Sequence, residues 1–245
     1  MVLQNTAEVF VLKVRIKFKK YGALRFIGHL DVMRFFQKAI RRAEIPVAYT
    51  KGFSPHMIMS FANPLGIGLT SEAEYFDIEL ANEISSAEAV KRLNEEMVEG
   101  AEVVSFRQIG EEKKWTGMAL VAAADYRVYP KTKDFPENLD EIVKNFMTQD
   151  EIRVVKKTKR SEKEVDIRHM LYDMKAEDNC IFIKSSAGSV ENLKPNLVMQ
   201  TLCEFMGEDP EELKFGYHRV EMYAALNEED PMDFVSLEDL GTELL

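Results

Sequence analysis

The feature that most constrains the fold is a succession of strand-like and helix-like hydrophobic patterns that occurs twice along the chain. Residues 10–19 alternate apolar with mostly basic side chains, and this period of two predicts a half-buried strand. Residues 29–44 carry apolar side chains three and four positions apart, which predicts an amphipathic helix that ends before Pro46. The other elements predicted for this stretch are strands over residues 57–62, 74–80 and 102–109 and a helix from Ser85 or Ser86 to about Met97.

The second stretch repeats the same order of patterns. Its predicted elements are strands over residues 126–129, 152–158, 180–184 and 217–223 and helices over residues 137–149 and 194–206. Residues 159–178 are predicted to form an insert between the two middle strands. The order β-α-β-β-α-β is the ferredoxin-like pattern. The predicted fold class is therefore α+β, with tandem ferredoxin-like domains over residues 10–110 and 117–226. A single α+β domain with one long mixed sheet is the alternative.

Charge is distributed unevenly along the chain, although the formal net charge is −10. Residues 11–60 hold eleven lysine and arginine residues against two acidic ones. Residues 204–245 hold thirteen acidic residues against two basic ones. The sequence thus predicts an acidic C-terminal tail over residues 227–245, which forms a short helix around residues 237–245 or is disordered.

The composition is typical of a globular protein and argues against several classes of function. Hydrophobic residues make up 46% of the 245 residues, and no apolar run approaches the roughly 20 residues that span a bilayer. The first residues lack a signal-peptide pattern, so we expect a cytoplasmic protein without a membrane partner. The four histidines show no metal-ligand spacing and no phosphate-binding loop is present, so no metal or other cofactor is predicted. Cys180 and Cys203 have apolar neighbours and are expected to be buried free thiols.

Basic residues cluster on the first predicted helix, where their spacing brings Arg34, Lys38 and Arg41 to one face. Such a stripe attracts phosphates, and the alternative is an ordinary solvated face balanced by neighbouring carboxylates. Phe53 lies in a loop and is expected to be free to stack on a base, whereas Phe26 is expected in the core. The residues predicted to contact nucleic acid are Arg25, His29, Arg34, Lys38, Arg41, Arg42, Lys51, Phe53, His56, Lys156, Lys157, Lys159 and Arg160.

The first predicted strand carries a further set of cations. They alternate with the apolar residues and are Lys13, Arg15, Lys17 and Lys19. Both helices of a ferredoxin-like unit pack on the same face of its sheet. The four cations are therefore expected on the opposite, open face of the sheet.

Six segments of the chain resemble one bacterial protein family. They are residues 25–31 (RFIGHLD), 41–47 (RRAEIPV), 51–56 (KGFSPH), 63–68 (NPLGIG), 74–77 (EYFD) and 163–168 (KEVDIR). These segments resemble the radical-SAM-associated proteins that share the DUF2344 domain, over most of residues 10–224. Members of that family occur beside, or fused to, a radical SAM protein with a cobalamin-binding-type region. The resemblance implies a separately encoded radical SAM partner and brings no established activity.

The predicted tandem arrangement is also similar to that of RNA-processing proteins of the CRISPR repeat-endonuclease type. Those proteins place a histidine near the first helix, where His29 stands here. They also carry a glycine-rich loop before the last strand, whereas residues 214–217 (KFGY) offer a single glycine. The missing glycine-rich loop argues against nuclease activity. The likeness is also one of fold alone, and a shared fold does not establish a shared function.

These observations predict a non-catalytic RNA-binding or adaptor protein that works with a radical SAM enzyme. It would present an RNA such as tRNA or rRNA to that enzyme for modification or processing. Two alternatives stay open. One is a protein-interaction subunit of the radical SAM partner that makes no RNA contact. The other is an RNA-processing enzyme that uses His29, with Arg25 and His56 in the same cleft.

Overall fold

One mixed β-sheet of ten strands organises the protein. The structure, a computed structural model, describes residues 12–157, 162–227, 229–230 and 232–245. Its helices are α1 (His29–Arg42), α2 (Ser86–Glu95), α3 (Gly117–Leu120), α4 (Leu139–Met147) and α5 (Pro195–Met206). Its strands are β1 (Leu12–Lys20), β2 (Met59–Ala62), β3 (Thr70–Leu80), β4 (Ala101–Gln108), β5 (Val121–Pro130), β6 (Arg153–Lys157), β7 (Glu162–Asp166), β8 (Leu171–Glu177), β9 (Cys180–Ser186), β10 (Phe215–Ala225), β11 (Phe234–Ser236) and β12 (Thr242–Glu243).

Two antiparallel groups of four strands make up most of the sheet. The first group has the order β4-β1-β3-β2, and the second has the order β10-β5-β9-β8. The groups join where β10 runs parallel to β3, with His218 beside Thr70 and Arg219 beside Ser71. We call this junction the seam. The predicted α+β class is confirmed, and the sheet is large and mixed.

The helices pack on the apolar side of each strand group. In the first group, the ring of Phe36 on α1 lies 4.5 Å from the ring of Phe18 on β1. Alternate β1 residues such as Ile16 belong to the same buried cluster, as the period of two predicts. In the second group, Phe146 on α4 and Leu202 on α5 lie in one core cluster. Each group therefore has its own helix-covered core.

The prediction that the cations of β1 lie on an open face is wrong. Arg15 is only 2% exposed, and its Nε lies 2.9 Å from Oδ1 of Asp77. Its Nη1 donates to the carbonyl oxygen of Leu237, and its Nη2 donates to that of Trp115. Lys17 lies between two glutamates, Lys19 lies near two others, and Lys13 pairs with Glu79. Segments distant in sequence, such as those at Trp115 and Leu237, cover this face. The residue pattern within β1 alone does not predict these contacts.

The predicted middle strand of the second group is also misplaced. Strand β6 pairs with β7 in a separate two-stranded sheet. The strand that pairs with β9 in the main sheet is β8, which lies inside the predicted insert. A register shift between Leu171 and Asp173 puts the buried residues Leu171 and Met174 three positions apart. This bulge hides the strand from a search for alternation.

The tail is neither helical nor disordered over residues 232–245. Strand β11 pairs with β10, and β12 pairs with β4. Between them, Leu237 is fully buried, and its N–H donates to the carbonyl oxygen of Met222 over 3.1 Å. Both predicted states of the tail are wrong, because one buried leucine and two short pairings are too weak a pattern to recognise in an acidic segment.

Candidate functional site

The exposed face of α1 carries the predicted basic stripe. Asp31 in the first turn and the apolar inner face favour the helix, and Arg34, Lys38 and Arg41 all face solvent. Arg34 lies 3.3 Å from Asp31, a pair that contributes little because both side chains are exposed. Lys38 and Arg41 have no carboxylate partner in the part of the chain that the structure describes. We call Arg34, Lys38 and Arg41 the α1 basic face.

The loop that follows α1 projects a second group of predicted contacts. Lys51, Phe53 and His56 are all exposed. The N–H of Thr50 donates to the carbonyl oxygen of His56 over 2.9 Å, and this bond closes the loop. Gly52 at its tip has a φ of +117°, a conformation that other residues rarely adopt. The expected exposure of Phe53 is confirmed, whereas its contact with a base stays a prediction.

Arg25, His29 and Arg42 lie near the two ends of α1. The Arg25 guanidinium lies 4.6 Å from the centre of the Phe26 ring, and Phe26 is 60% exposed rather than part of the core. Phe26 is the last residue of a short 3₁₀ helix, Gly22–Phe26, and Leu24 is the residue that this helix buries. His29 stands edge-on to Phe61, and burial lowers the pKa of its imidazole below 6.5. Arg42 pairs with Glu96.

The second predicted basic cluster is only partly described. Lys156 and Lys157 belong to β6, in the small sheet outside the main one. Lys159 and Arg160 lie outside the described residues. For this cluster the structure therefore gives only the strand position of Lys156 and Lys157.

The two cysteines are buried and free, as expected. Burial raises the pKa of the Cys180 thiol and raises that of Cys203 to about 11. Both thiols are therefore protonated near neutral pH and are poor nucleophiles. Within the described ranges, no three histidine, cysteine, aspartate or glutamate side chains are grouped closely enough to hold a metal ion.

A cleft at the seam was missed by the sequence analysis. It has a volume of about 360 Å³. Its lining comes from the turn after β2, from β5, from the start of α5 and from β10, and we call it the seam cleft. The residues that line it are Asn63, Pro64, Leu65, Gly66, Leu69, Tyr126, Asn192, Lys194, Pro195, Asn196, Tyr217 and Arg219. In the sequence, residues 63–68 stand out only as one of the six segments that resemble the bacterial family, and nothing local indicates a cavity there.

A buried ion pair holds the wall of the seam cleft. Arg219 is 3% exposed, and its Nη1 donates to Oε1 of Glu74 and to the carbonyl oxygen of Asn63, each over 2.9 Å. The other Glu74 oxygen accepts the N–H of Leu65 over 3.2 Å. Nη2 of Arg219 donates to the hydroxyl of Tyr126. These bonds fix the turn after β2 against the second strand group.

The neighbouring side of the seam carries His218. Its Nδ1 lies 2.8 Å from the Thr70 hydroxyl, and its Nε2 lies 3.5 Å from Glu72. Burial lowers the pKa of this imidazole below 6.5, Glu72 opposes the shift and Arg127 adds to it. The ring is therefore mostly neutral near pH 7, and it joins β10 to β3 as a hydrogen-bond partner.

Comparisons with known proteins give one clear result. A search of curated proteins finds no match to the chain. One solved structure, described as "Crystal Structure of an Unknown Protein from Galdieria sulphuraria", shows 11% identity and a TM-score of 0.25 over 86% of this chain and 99% of the other. So low a score supports no inference. None of the helices in the described ranges has the length and apolarity to cross a bilayer. The model of one bacterial family matches residues 13–195, and the chain therefore belongs to that family, described as "Uncharacterized protein conserved in bacteria (DUF2344)".

Proposed function

We propose that the protein is a non-catalytic, cytoplasmic RNA-binding or adaptor protein that works with a radical SAM enzyme in RNA modification or processing. The observation that carries the proposal is the α1 basic face. Its three cations lie on one exposed side of a helix, and Lys38 and Arg41 have no carboxylate partner among the described residues. Such cations gain free energy by displacing counterions from a phosphate backbone.

We interpret the two strand groups as tandem ferredoxin-like units. In support, both groups have an antiparallel order in which the fourth strand lies outside the first, and the third lies between the first and second. Helices α1 and α2 connect strands of the first group, and α4 and α5 connect strands of the second. On this interpretation β6 and β7 are an insertion in the second unit, and the linker lies near residues 110–116.

Replacing the α1 basic face should weaken RNA binding and reduce its dependence on salt. The triple variant Arg34→Ala/Lys38→Ala/Arg41→Ala loses three cations that can reach phosphates. We expect the slope of log K against log salt to fall by about 0.7–0.9 for each lost phosphate contact. Filter binding of a bulk tRNA fraction between about 50 and 200 mM salt measures this slope.

The matched control removes three exposed lysines that already pair with carboxylates elsewhere on the protein, Lys133→Ala/Lys144→Ala/Lys175→Ala. It changes the net charge equally, and we expect it to bind RNA almost as the wild type does. If the wild type retains no RNA at low salt, or if both triple variants lose binding equally, the RNA proposal is wrong.

A second candidate function, a protein-interaction subunit without RNA contact, is favoured by an exposed apolar patch beside α1. Phe26, Leu30 and Ile67 are each more than half exposed. Ile67 stands next to Gly28, 3.8 Å from the position of a β-carbon there, so the patch is contiguous with the start of α1. Exposed apolar groups of this kind occur at protein interfaces.

Disrupting this patch should separate the two candidates. The protein is co-expressed with a candidate radical SAM partner, and the complex is purified after nuclease treatment. If the patch is the interface, Phe26→Asp/Leu30→Asp abolishes co-purification, while the matched exposed replacement Met118→Asp/Val190→Asp does not. Co-purification that nuclease abolishes in the wild type would instead indicate contact through RNA.

A further inference from the structure

A further cleft lies beside His218, on the neighbouring side of the seam. Its volume is about 350 Å³, which is within the range of small-molecule sites. Both strand groups contribute to it, since Arg25 precedes α1 and Lys131 follows β5. We call it the His218 cleft. The residues that line it are Arg25, Gly68, Thr70, Glu72, Tyr129, Lys131, Gly216, Tyr217 and His218.

Two cations of this lining, Arg25 and Lys131, are exposed and make no ion pair within the part of the chain that the structure describes. The nearby cations Arg127 and Lys133 differ from them, because each pairs with a glutamate. Cations that line a concave surface attract anions more strongly than isolated surface charges do. The two unpaired cations therefore favour an anionic ligand in the His218 cleft.

Glu72 is the carboxylate of the lining, and its charge is partly opposed. It lies 3.8 Å from Nζ of Lys19, a cation outside the lining that Glu102 shares, and 3.5 Å from Nε2 of His218. One partly opposed carboxylate thus stands against two full positive charges. The lining keeps an excess of positive charge.

Two glycines help to hold these cations at the cleft. A β-carbon at Gly216 would lie 3.1 Å from Cε of Lys131, so the bare backbone lets the lysine side chain lie close against β10. The N–H of Gly68 donates to the carbonyl oxygen of Arg25 over 2.7 Å. This bond ties the segment before α1 to the turn that leads into β3. Both cations are therefore positioned by backbone contacts rather than by carboxylates.

His218 adds a neutral hydrogen-bond donor to the lining. The Thr70 hydroxyl lies 2.8 Å from Nδ1, and when it donates there the proton of the neutral ring is on Nε2. At 3.5 Å, Glu72 is at the limit of a hydrogen bond to Nε2, so this N–H can donate to a ligand oxygen instead. Two cations and one such donor match a phosphate monoester, which offers three acceptor oxygens and carries a charge of about −1.5 to −2 near neutral pH.

We propose that the His218 cleft binds a phosphate monoester, whose oxygens accept from Arg25, Lys131 and Nε2 of His218. The monoester can be a small phosphorylated molecule or the 5′-phosphorylated end of an RNA strand, since both present the same dianionic group. The site uses none of the residues of the α1 basic face, and the proposal holds whether or not that face binds RNA.

Titration with methyl phosphate at constant pH, followed by NMR, tests the proposal. The imidazole signals of His218 should shift until the site is saturated. Those of His169, which pairs with Glu191 outside the lining, should not shift. Dimethyl phosphate carries a single negative charge and should bind about tenfold more weakly, because it loses a charge-assisted hydrogen bond.

A parallel titration distinguishes the two sources of the phosphate. It uses a short oligoribonucleotide with and without a 5′-phosphate. An RNA end is the source if the phosphorylated strand shifts the His218 signals at lower concentration than methyl phosphate does, while the unphosphorylated strand leaves them in place. A small phosphorylated molecule is the source if methyl phosphate shifts these signals at the lower concentration.

Single replacements locate the binding site. Arg25→Gln and Lys131→Gln should each weaken methyl phosphate binding by about tenfold. Both side chains are exposed, so neither change should disturb the fold. The matched control is Lys133→Gln, which removes an exposed charge two residues from Lys131. It should leave binding unchanged, because Lys133 pairs with Glu208 and does not line the cleft.

Lys38→Ala/Arg41→Ala should also leave methyl phosphate binding unchanged, so failure at this site is distinguishable from failure of the RNA proposal. The phosphate proposal is overturned if methyl phosphate at about 10 mM, well above the weakest affinity expected of a specific site, does not shift the His218 signals. It is also overturned if dimethyl phosphate binds as tightly, or if Lys131→Gln weakens binding no more than Lys133→Gln does.

Discussion

Replacing Arg219 by methionine should lower the free energy of unfolding by about 3–5 kcal/mol. The guanidinium is almost fully buried, and its removal leaves the carboxylate of Glu74, itself buried, without its cation. The carbonyl oxygen of Asn63 and the hydroxyl of Tyr126 lose a donor at the same time. Urea denaturation followed by circular dichroism measures the loss, and an unchanged slope with denaturant would show that the unfolded state is unaffected.

The matched control is Arg127→Met, since Arg127 pairs with Glu177 over 3.1 Å at a well-exposed position of the same sheet. We expect this replacement to cost about 0.2–1 kcal/mol, because water screens an exposed pair. The difference in free energy of unfolding between the two variants therefore measures the effect of burying the ion pair, since both variants lose one arginine. Equal losses would contradict the idea that the Arg219–Glu74 pair stabilises the seam.

Replacing Leu237 by alanine should cost about 2–5 kcal/mol of stability. The side chain is fully buried in the core of the second strand group, so truncation removes apolar contacts and leaves a cavity. The carbonyl oxygen of Leu237 itself accepts from Nη1 of Arg15, so a shift of the tail weakens that bond as well. Thermal or urea unfolding of the full chain gives the difference.

Leu245→Ala is the control for this change, because Leu245 is fully exposed. We expect its effect to stay within about 0.5 kcal/mol. A loss below about 1 kcal/mol for Leu237→Ala would mean that the tail does not pack as described, since truncating a buried leucine costs more than this.

Local periodicity predicts the elements that follow it closely. The alternation of β1 and the helical spacing of α1 are both present in the structure, because each element keeps its apolar residues on one side along its whole length. Strand β8 escaped prediction because its bulge breaks the alternation. The tail escaped because its two strands have only three and two residues. Short or irregular pairings depend on the partner strand, which the local sequence does not contain.

The same distinction explains which surfaces could be predicted. The α1 basic face depends only on residues three and four apart on one helix, so spacing is enough to find it. The cations of β1 are on the predicted strand, but their carboxylate partners at Glu221 and Glu238 are distant in sequence. The seam cleft depends on Asn63 and Arg219 meeting through the pairing of β3 with β10. No local sequence pattern predicts the contact between Asn63 and Arg219, because the two residues are far apart in the chain.

The cover that residues 232–245 provide over β1 imposes an order on folding during translation. Strands β1 and β3 leave the ribosome long before these residues, so the Arg15–Asp77 pair emerges while its acceptor on Leu237 does not yet exist. In the nascent chain, the side of the first strand group that carries the cations of β1 therefore stays exposed to solvent until residues 232–245 are synthesised. On a ribosome stalled before Leu237, the nascent chain would expose the Arg15–Asp77 pair and unpaired strand edges. Such a partly folded chain is prone to aggregation and is a substrate for chaperones.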